Sequence, residues 1–192
     1  MEDMETTTAS ARMQEIQGQI DALHEELWNL RKEQPGTPIG KDYEFLRSDG
    51  SAVKLAELFG ANEHLLLIHN MGKSCRYCSL WADGFISVAP LLADQTSFVL
   101  VNGDSPEVQR EVAATRGWTF PMVSDPTGEF TKDMGMISEE GRWPGVTAFY
   151  RSPDGTILRM NQAIFGPGDA FGSIWHFLSL RKGGGNGWEP RP

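Results

Sequence analysis

LLLIHNMGKSCRYCSLW, residues 65–81, places an apolar run, a short polar loop and a Cys-x-x-Cys pair in direct succession. Leu65 to Ile68 are apolar without interruption and of strand length, the signature of a strand covered on both faces of its sheet. A helix is expected to begin near Cys75 and to run to about Leu92. Leu80, Trp81, Phe85, Val88 and Leu91 would form its inner face, with Pro90 kinking or ending it. This junction puts Cys75 at a helix N-terminus, where unpaired backbone N–H groups and the helix dipole favour a thiolate. Lys73 and Arg76 flank it as a local basic patch. Both influences move a thiol pKa from ~8.5 toward ~3.5–7.5. Cys78 lies one turn further on, and the two-residue spacer lets the sulfurs approach the ~2 Å of a disulfide. In that chemistry Cys75 is the nucleophile and Cys78 the resolving thiol.

The same spacing also occurs as half of a zinc site or by coincidence. Cys75 and Cys78 are the chain's two cysteines, too few for a disulfide framework. A zinc site needs two more ligands, and His24, His64, His69 and His176 show no paired ligand spacing. No phosphate loop, dinucleotide fingerprint or Ser-His-Asp arrangement is present. We therefore expect no metal and no cofactor.

Before the dithiol, Tyr43–Leu46 and Ala52–Leu55 read as a small hairpin across SDGS, followed by a helical turn ending at Gly60. After it, Ser97–Val101 read as a second buried strand. Asp104-Ser105-Pro106-Glu107 is a strong helix start and Arg116-Gly117 its stop. Phe120–Val123 suggest a short strand, and residues 131–143 a loop with at most one helical turn. Val146–Arg151 and Thr156–Gln162 read as strands joined by SPDG. Asp169–Leu180 read as a closing helix, with Phe171, Ile174, Trp175 and Leu178 inside. The order is that of a mixed sheet with helices on both faces.

Ahead of this domain lies an amphipathic helix, about Ser10 to Gln34. Met13, Ile16, Ile20, Leu23, Leu27 and Leu30 follow a 3,4,3,4,3 spacing, an a/d heptad pattern. It fits packing on the chain's own domain or against a partner subunit. Three heptads alone are marginal, so such a helix would extend a dimer interface rather than create one.

Seventeen Lys and Arg against 26 Asp and Glu give a net charge of −9. That balance argues against binding nucleic acid through phosphate neutralisation. The longest apolar runs fall far short of the ~20 residues of a membrane helix. The acidic N-terminus has no signal-peptide core. These features suggest a cytoplasmic protein that binds neither nucleic acid nor membrane.

The residues 65–81 resemble the active-site segment of the thioredoxin superfamily. DYEFLRSDGSAVKLAELFG, WTFPMVSDPTGEF and GVTAFYRSPDGTILR look closer to peroxiredoxins. Together with SLWADGF they resemble, over residues 20–182, the bacterial thioredoxin-like family known as domain of unknown function 899. The resemblance implies a thioredoxin-like, peroxiredoxin-type α/β fold. It matches Cys75 and Cys78 to the thioredoxin dithiol. It sets His69 where thioredoxins keep a buried proton-handling carboxylate, although a hydrogen-bonded core histidine is equally in keeping with the position. Val146-Thr147 stand where thioredoxins have a cis-proline and its Thr-led strand, Pro144 lies two residues earlier, and Ser74 replaces the usual Trp. Trp143 and Pro144 would border the thiols. In the peroxiredoxin alternative Cys78 is the attacking thiolate, with Arg116, Arg142 or Arg151 orienting peroxide, but the Pro-x-x-x-Thr-x-x-Cys signature is absent.

The resulting expectation is a leader (1–9), an N-terminal helix and linker (10–38), a thioredoxin-like domain (39–182) and a flexible glycine-rich tail (183–192). The activity expected is thiol–disulfide exchange by Cys75 and Cys78, with His69 assisting and Lys73, Arg76, Trp143, Pro144 and Thr147 on the substrate rim. Peroxide reduction, or a redox-inert or sensing dimer, are the alternatives. Partners would be a protein or small-molecule disulfide or peroxide, a separate reductant, and a second copy of the chain.

Overall fold

The computed structural model describes residues 2–185 and 187–191, with the side chains of 2–7 left out. The chain forms two units that meet between Pro35 and Gly36.

The first unit is helix α1, Glu2–Lys32. It begins earlier than the apolar pattern marks, and helical backbone covers most of the segment expected to be a leader. The six heptad residues are between 40% and 64% exposed, as is Trp28 at 60%.

The second unit is built on one eight-stranded sheet. Its strands are β1 (Thr37–Pro38), β2 (Glu44–Arg47), β3 (Ala52–Lys54), β4 (His64–His69), β5 (Ser97–Asn102), β6 (Met122–Ser124), β9 (Gly145–Arg151) and β10 (Ile157–Ile164). The spatial order is β1-β10-β9-β4-β5-β6-β2-β3. β4, β5 and β6 run parallel, joined through helices α2 (Arg76–Leu92) and α3 (Pro106–Arg116). β9 pairs antiparallel with β4 and β10, closing the other side. The apolar run therefore occupies the centre of the sheet, as a strand buried on both faces must.

Strand alternation divides the core into two layers. Leu65, Leu67, Val99, Val101 and Val123 face one layer, filled by Tyr43, Phe45, Phe59, Phe130 and Met136. Ile68, Leu100 and Met122 face the other, filled by Trp81, Phe85 and Phe98. In α2 the buried series is Cys78, Trp81, Ala82, Phe85 and Ala89. Val88 and Leu91, expected inside, are 41% and 80% exposed. Small alanines, not the larger aliphatics, continue the 3.6-residue stripe.

Two carboxylates reshape regions that hydrophobic patterning leaves open. Asp125 accepts from the Gly128 and Thr131 backbone N–H groups and the Thr131 hydroxyl, starting helix α4 (Glu129–Asp133). A small hairpin of β7 (Ile137–Ser138) and β8 (Gly141–Arg142) follows where a loop was expected. Asp169 accepts from the backbone N–H groups of Gly166, Phe171 and Gly172 and from Trp81 Nε1. This turn holds 166–172 out of helix, so α5 shortens to Ser173–Ser179, with Leu178 its buried residue and Phe171 left 39% exposed.

Phe130 is the hub of the first layer. It is 1% exposed, meets Tyr43 and Phe45 edge-on at 5.1 and 5.0 Å, and stacks on His69 at 5.6 Å. Phe130→Ala should cost about 3–5 kcal/mol of unfolding free energy in a denaturant titration. A loss under ~1 kcal/mol would contradict this packing.

Candidate active site

The dithiol sits where β4 gives way to α2. Asn70 turns the chain: its side-chain oxygen accepts from Gly72 N–H at 2.7 Å, and its amide donates to the Cys78 carbonyl at 3.5 Å. Gly72 has φ 99°, and a Cβ there would come within 2.9 Å of the Asp104 carboxylate. Asp104 in turn accepts from the Lys73 N–H at 2.7 Å. The Gly72 carbonyl then accepts from Cys75 N–H at 3.1 Å. Asn70, Gly72 and Asp104 thus shape the loop that delivers Cys75; Asn-x-Gly is the local signal that could have marked the turn, whereas Asp104 reaches it across 31 residues.

Cys75 is the N-cap of α2, in extended conformation, and its sulfur accepts the Cys78 backbone N–H at 3.1 Å. It is half-buried, whereas Cys78 is 2% exposed, and both are free thiols. The Cys75 pKa is lowered to about 7, chiefly by the hydrogen bond from the Cys78 thiol. Burial opposes this, and the Cys78 and Tyr77 backbone N–H groups add to it. Cys78 is displaced upward, first by that same hydrogen bond and then by burial, while the Met71 N–H at 3.4 Å partly offsets both. Of the two thiols, Cys75 is the one that ionises near neutral pH, and Cys78 keeps its proton.

The flanking cations do not supply this acidity. Lys73 Nζ lies 3.1 Å from Glu111 and Arg76 pairs with Glu189. All four side chains are well exposed, so the pairs are screened and largely neutralised. Glu189 belongs to the tail expected to be flexible. Among its described residues Pro190 is buried, and Trp188 N–H donates to the Gly185 carbonyl at 2.9 Å.

His69 and Thr147 are brought together, but with each other rather than with the thiols. His69 Nε2 and Thr147 Oγ1 share a 2.8 Å hydrogen bond, and Gln162 donates to the same hydroxyl. By strand alternation both side chains lie in the Phe130 layer, across the sheet from α2. Burial pushes the His69 pKa down to about 3, keeping the ring neutral. Gly145 pairs with His69, which places Trp143 and Pro144 at the dithiol end of the sheet. Pro144 is buried and Trp143 is 38% exposed; no peptide bond among the described residues is cis.

Of the arginines considered for peroxide binding, Arg151 bonds the carbonyls of Ala56, Gly60 and Asn62 at the opposite end of β4. Arg116 pairs with Asp83, two turns along α2. Arg142 lies beside Gly103 and Gly128, at the dithiol end of the sheet. Among the described residues no group of three or more His, Cys, Asp or Glu could hold a metal, and no helix is long and apolar enough to cross a membrane.

A mixed sheet with a Cys-x-x-Cys opening the helix after its central strand defines a thioredoxin-fold protein, and solved structures agree. Peroxidoxin BcpB from Mycobacterium tuberculosis superposes with a TM-score of 0.55 at 18% identity, covering 78% of this chain and 99% of that one. A mutant of PrxQ from Xylella fastidiosa gives 0.55 at 19% identity, covering 66% and 85%. An uncharacterized conserved protein from Geobacillus kaustophilus gives 0.53 at 19%, covering 76% and 79%. A search of curated proteins gives no significant match. The chain belongs to the family of bacterial proteins of unknown function designated DUF899, whose model matches residues 6–187.

Alkylation of Cys75 should rise with pH about a midpoint near 7, with Cys78 reacting far more slowly. Cys78→Ala removes the thiol donor, so the Cys75 midpoint should move up toward the ordinary ~8.5; Cys78→Ser keeps a donor and should shift it less. Mass mapping after iodoacetamide pulses reads both. An unchanged midpoint in Cys78→Ala would refute the Cys78 thiol as the chief cause of the Cys75 acidity.

Proposed function

We propose that this protein is a thiol–disulfide oxidoreductase in which Cys75 attacks and Cys78 resolves. The asymmetry of the two thiols carries the reading: one is accessible with its pKa lowered to about 7, the other buried with its pKa raised. The Cys75 thiolate attacks one sulfur of a substrate disulfide. A Cys75–substrate S–S bond forms, the substrate S–S bond breaks, and the departing sulfur leaves with the electron pair and takes a proton from solvent. Cys75 is then neutral and no longer accepts the Cys78 proton. The hydrogen bond to Cys75 and its charge, which held Cys78 protonated, fall away; burial still opposes ionisation, and the Met71 N–H remains to stabilise the Cys78 thiolate. Cys78 releases its proton to solvent and attacks Cys75. The internal disulfide forms and the second substrate thiolate leaves, so two electrons have passed to the substrate. A reducing thiol or dithiol of another molecule restores the pair, and run backward the same steps oxidise a dithiol substrate.

His69 enters none of these steps, because its ring contacts lie in the opposite core layer. The solved neighbours suggest a peroxidase as the second reading. With Cys78 as attacking thiolate it fits less well, since that sulfur is buried and holds its proton.

Cys75→Ser should reduce disulfide turnover to background, and Cys78→Ser should accumulate a mixed disulfide on Cys75, read by intact mass. Turnover that survives Cys75→Ser and is lost in Cys78→Ser would overturn this assignment in favour of the peroxidase.

We further propose that α1 pairs with a second copy of the chain through its exposed heptad stripe. Ile20→Glu with Leu27→Glu should halve the mass in solution measured by light scattering. An unchanged mass would refute the pairing.

A further inference from the structure

Arg76 stands between the two cysteines yet does little for the Cys75 thiolate, whose acidity comes from hydrogen bonds. Its partner is Glu189, 113 residues away in sequence. Lys73, the other cation at the loop, pairs with Glu111 of α3 in an equally exposed pair. Arg76 follows Cys75 directly in the chain and takes its counter-ion from the C-terminal tail. Pro190, the residue after that carboxylate, is buried. Both members of the pair are exposed, at 43% and 54%, so solvent screens their attraction and an incoming anion can replace Glu189. In a chain of net charge −9 an anionic substrate gains little from the overall field, and a local guanidinium must supply the attraction.

We propose that Arg76 recognises a carboxylate borne next to the disulfide of an anionic substrate, and that Glu189 occupies this place until the substrate displaces it. The inference rests on the reading of Cys75 as the attacking thiolate, and it names the substrate class: disulfides carrying carboxylates, as opposed to neutral or cationic ones. Arg76 here is a binding residue, and Glu189 a resident competitor for it.

The test compares two alkylating reagents of one mechanism and different charge. With either iodoacetate or iodoacetamide the Cys75 thiolate forms an S–C bond while the C–I bond breaks and iodide leaves with the electron pair. Rates are measured on the full chain in low salt for wild type, Glu189→Gln, and Glu189→Gln with Arg76→Gln. Glu189→Gln should raise the iodoacetate-to-iodoacetamide rate ratio about two- to five-fold, the range an exposed ion pair commands. Adding Arg76→Gln should return it to the wild-type value or below. Any general change in thiol acidity or access cancels in the ratio. A ratio that stays constant while both rates rise would show the tail as a simple shield and overturn the proposal, as would a gain that survives loss of Arg76. In parallel, Glu189→Gln should lower the KM for oxidised glutathione but not for cystamine. Because alkylation needs no turnover, failure of disulfide exchange with the ratio shift intact sinks the oxidoreductase reading alone, and the reverse outcome sinks the anion site alone.

Discussion

The hydrogen bond from the Cys78 N–H to the Cys75 sulfur is the constraint on which the site depends. It makes Cys75 the cap of α2, half-exposed at the end of the loop that leaves the central strand β4. The same turn buries Cys78 within the helix. One local geometry therefore sets both the charge on the first thiol and the proton on the second. The helix itself is held by Trp81, Ala82, Phe85 and Ala89 against the sheet, so the packing of the second core layer positions the chemistry.

The sheet isolates this chemistry from the other polar buried group near it. His69 leaves the same strand one residue before the loop, but alternation turns it to the opposite face, where Thr147 and Phe130 enclose it. The His69–Thr147 hydrogen bond links β4 to β9 across this layer. In the proposed mechanism the dithiol exchanges protons with solvent, and the order of its steps follows from the changing charge on Cys75.

Much of the fold was legible in the sequence because its signals are local. The Leu65–Ile68 run, the Ser105-Pro106 helix start, the Gly117 stop and the SPDG turn each act over a few residues. What escaped depends on contacts between distant residues. Asp125 and Asp169 cap backbone turns whose form no hydrophobic period records. The inner face of α2 was mis-phased because alanines carry it. The placing of the two cysteines at a strand–loop–helix junction was legible, but the charge partners of the basic flank were not. Lys73 and Arg76 look like activators until Glu111 and Glu189 are found beside them, 38 and 113 residues away. The glycine-rich tail gives no local signal that Pro190 is buried.

The most direct test of the account is the redox equilibrium of Cys75 and Cys78, followed by alkylation and intact mass across glutathione buffers. The account predicts a reversible loss of two protons on oxidation, with a midpoint between about −270 and −120 mV, the range of working redox dithiols. A pair that stays reduced at every poise would contradict it.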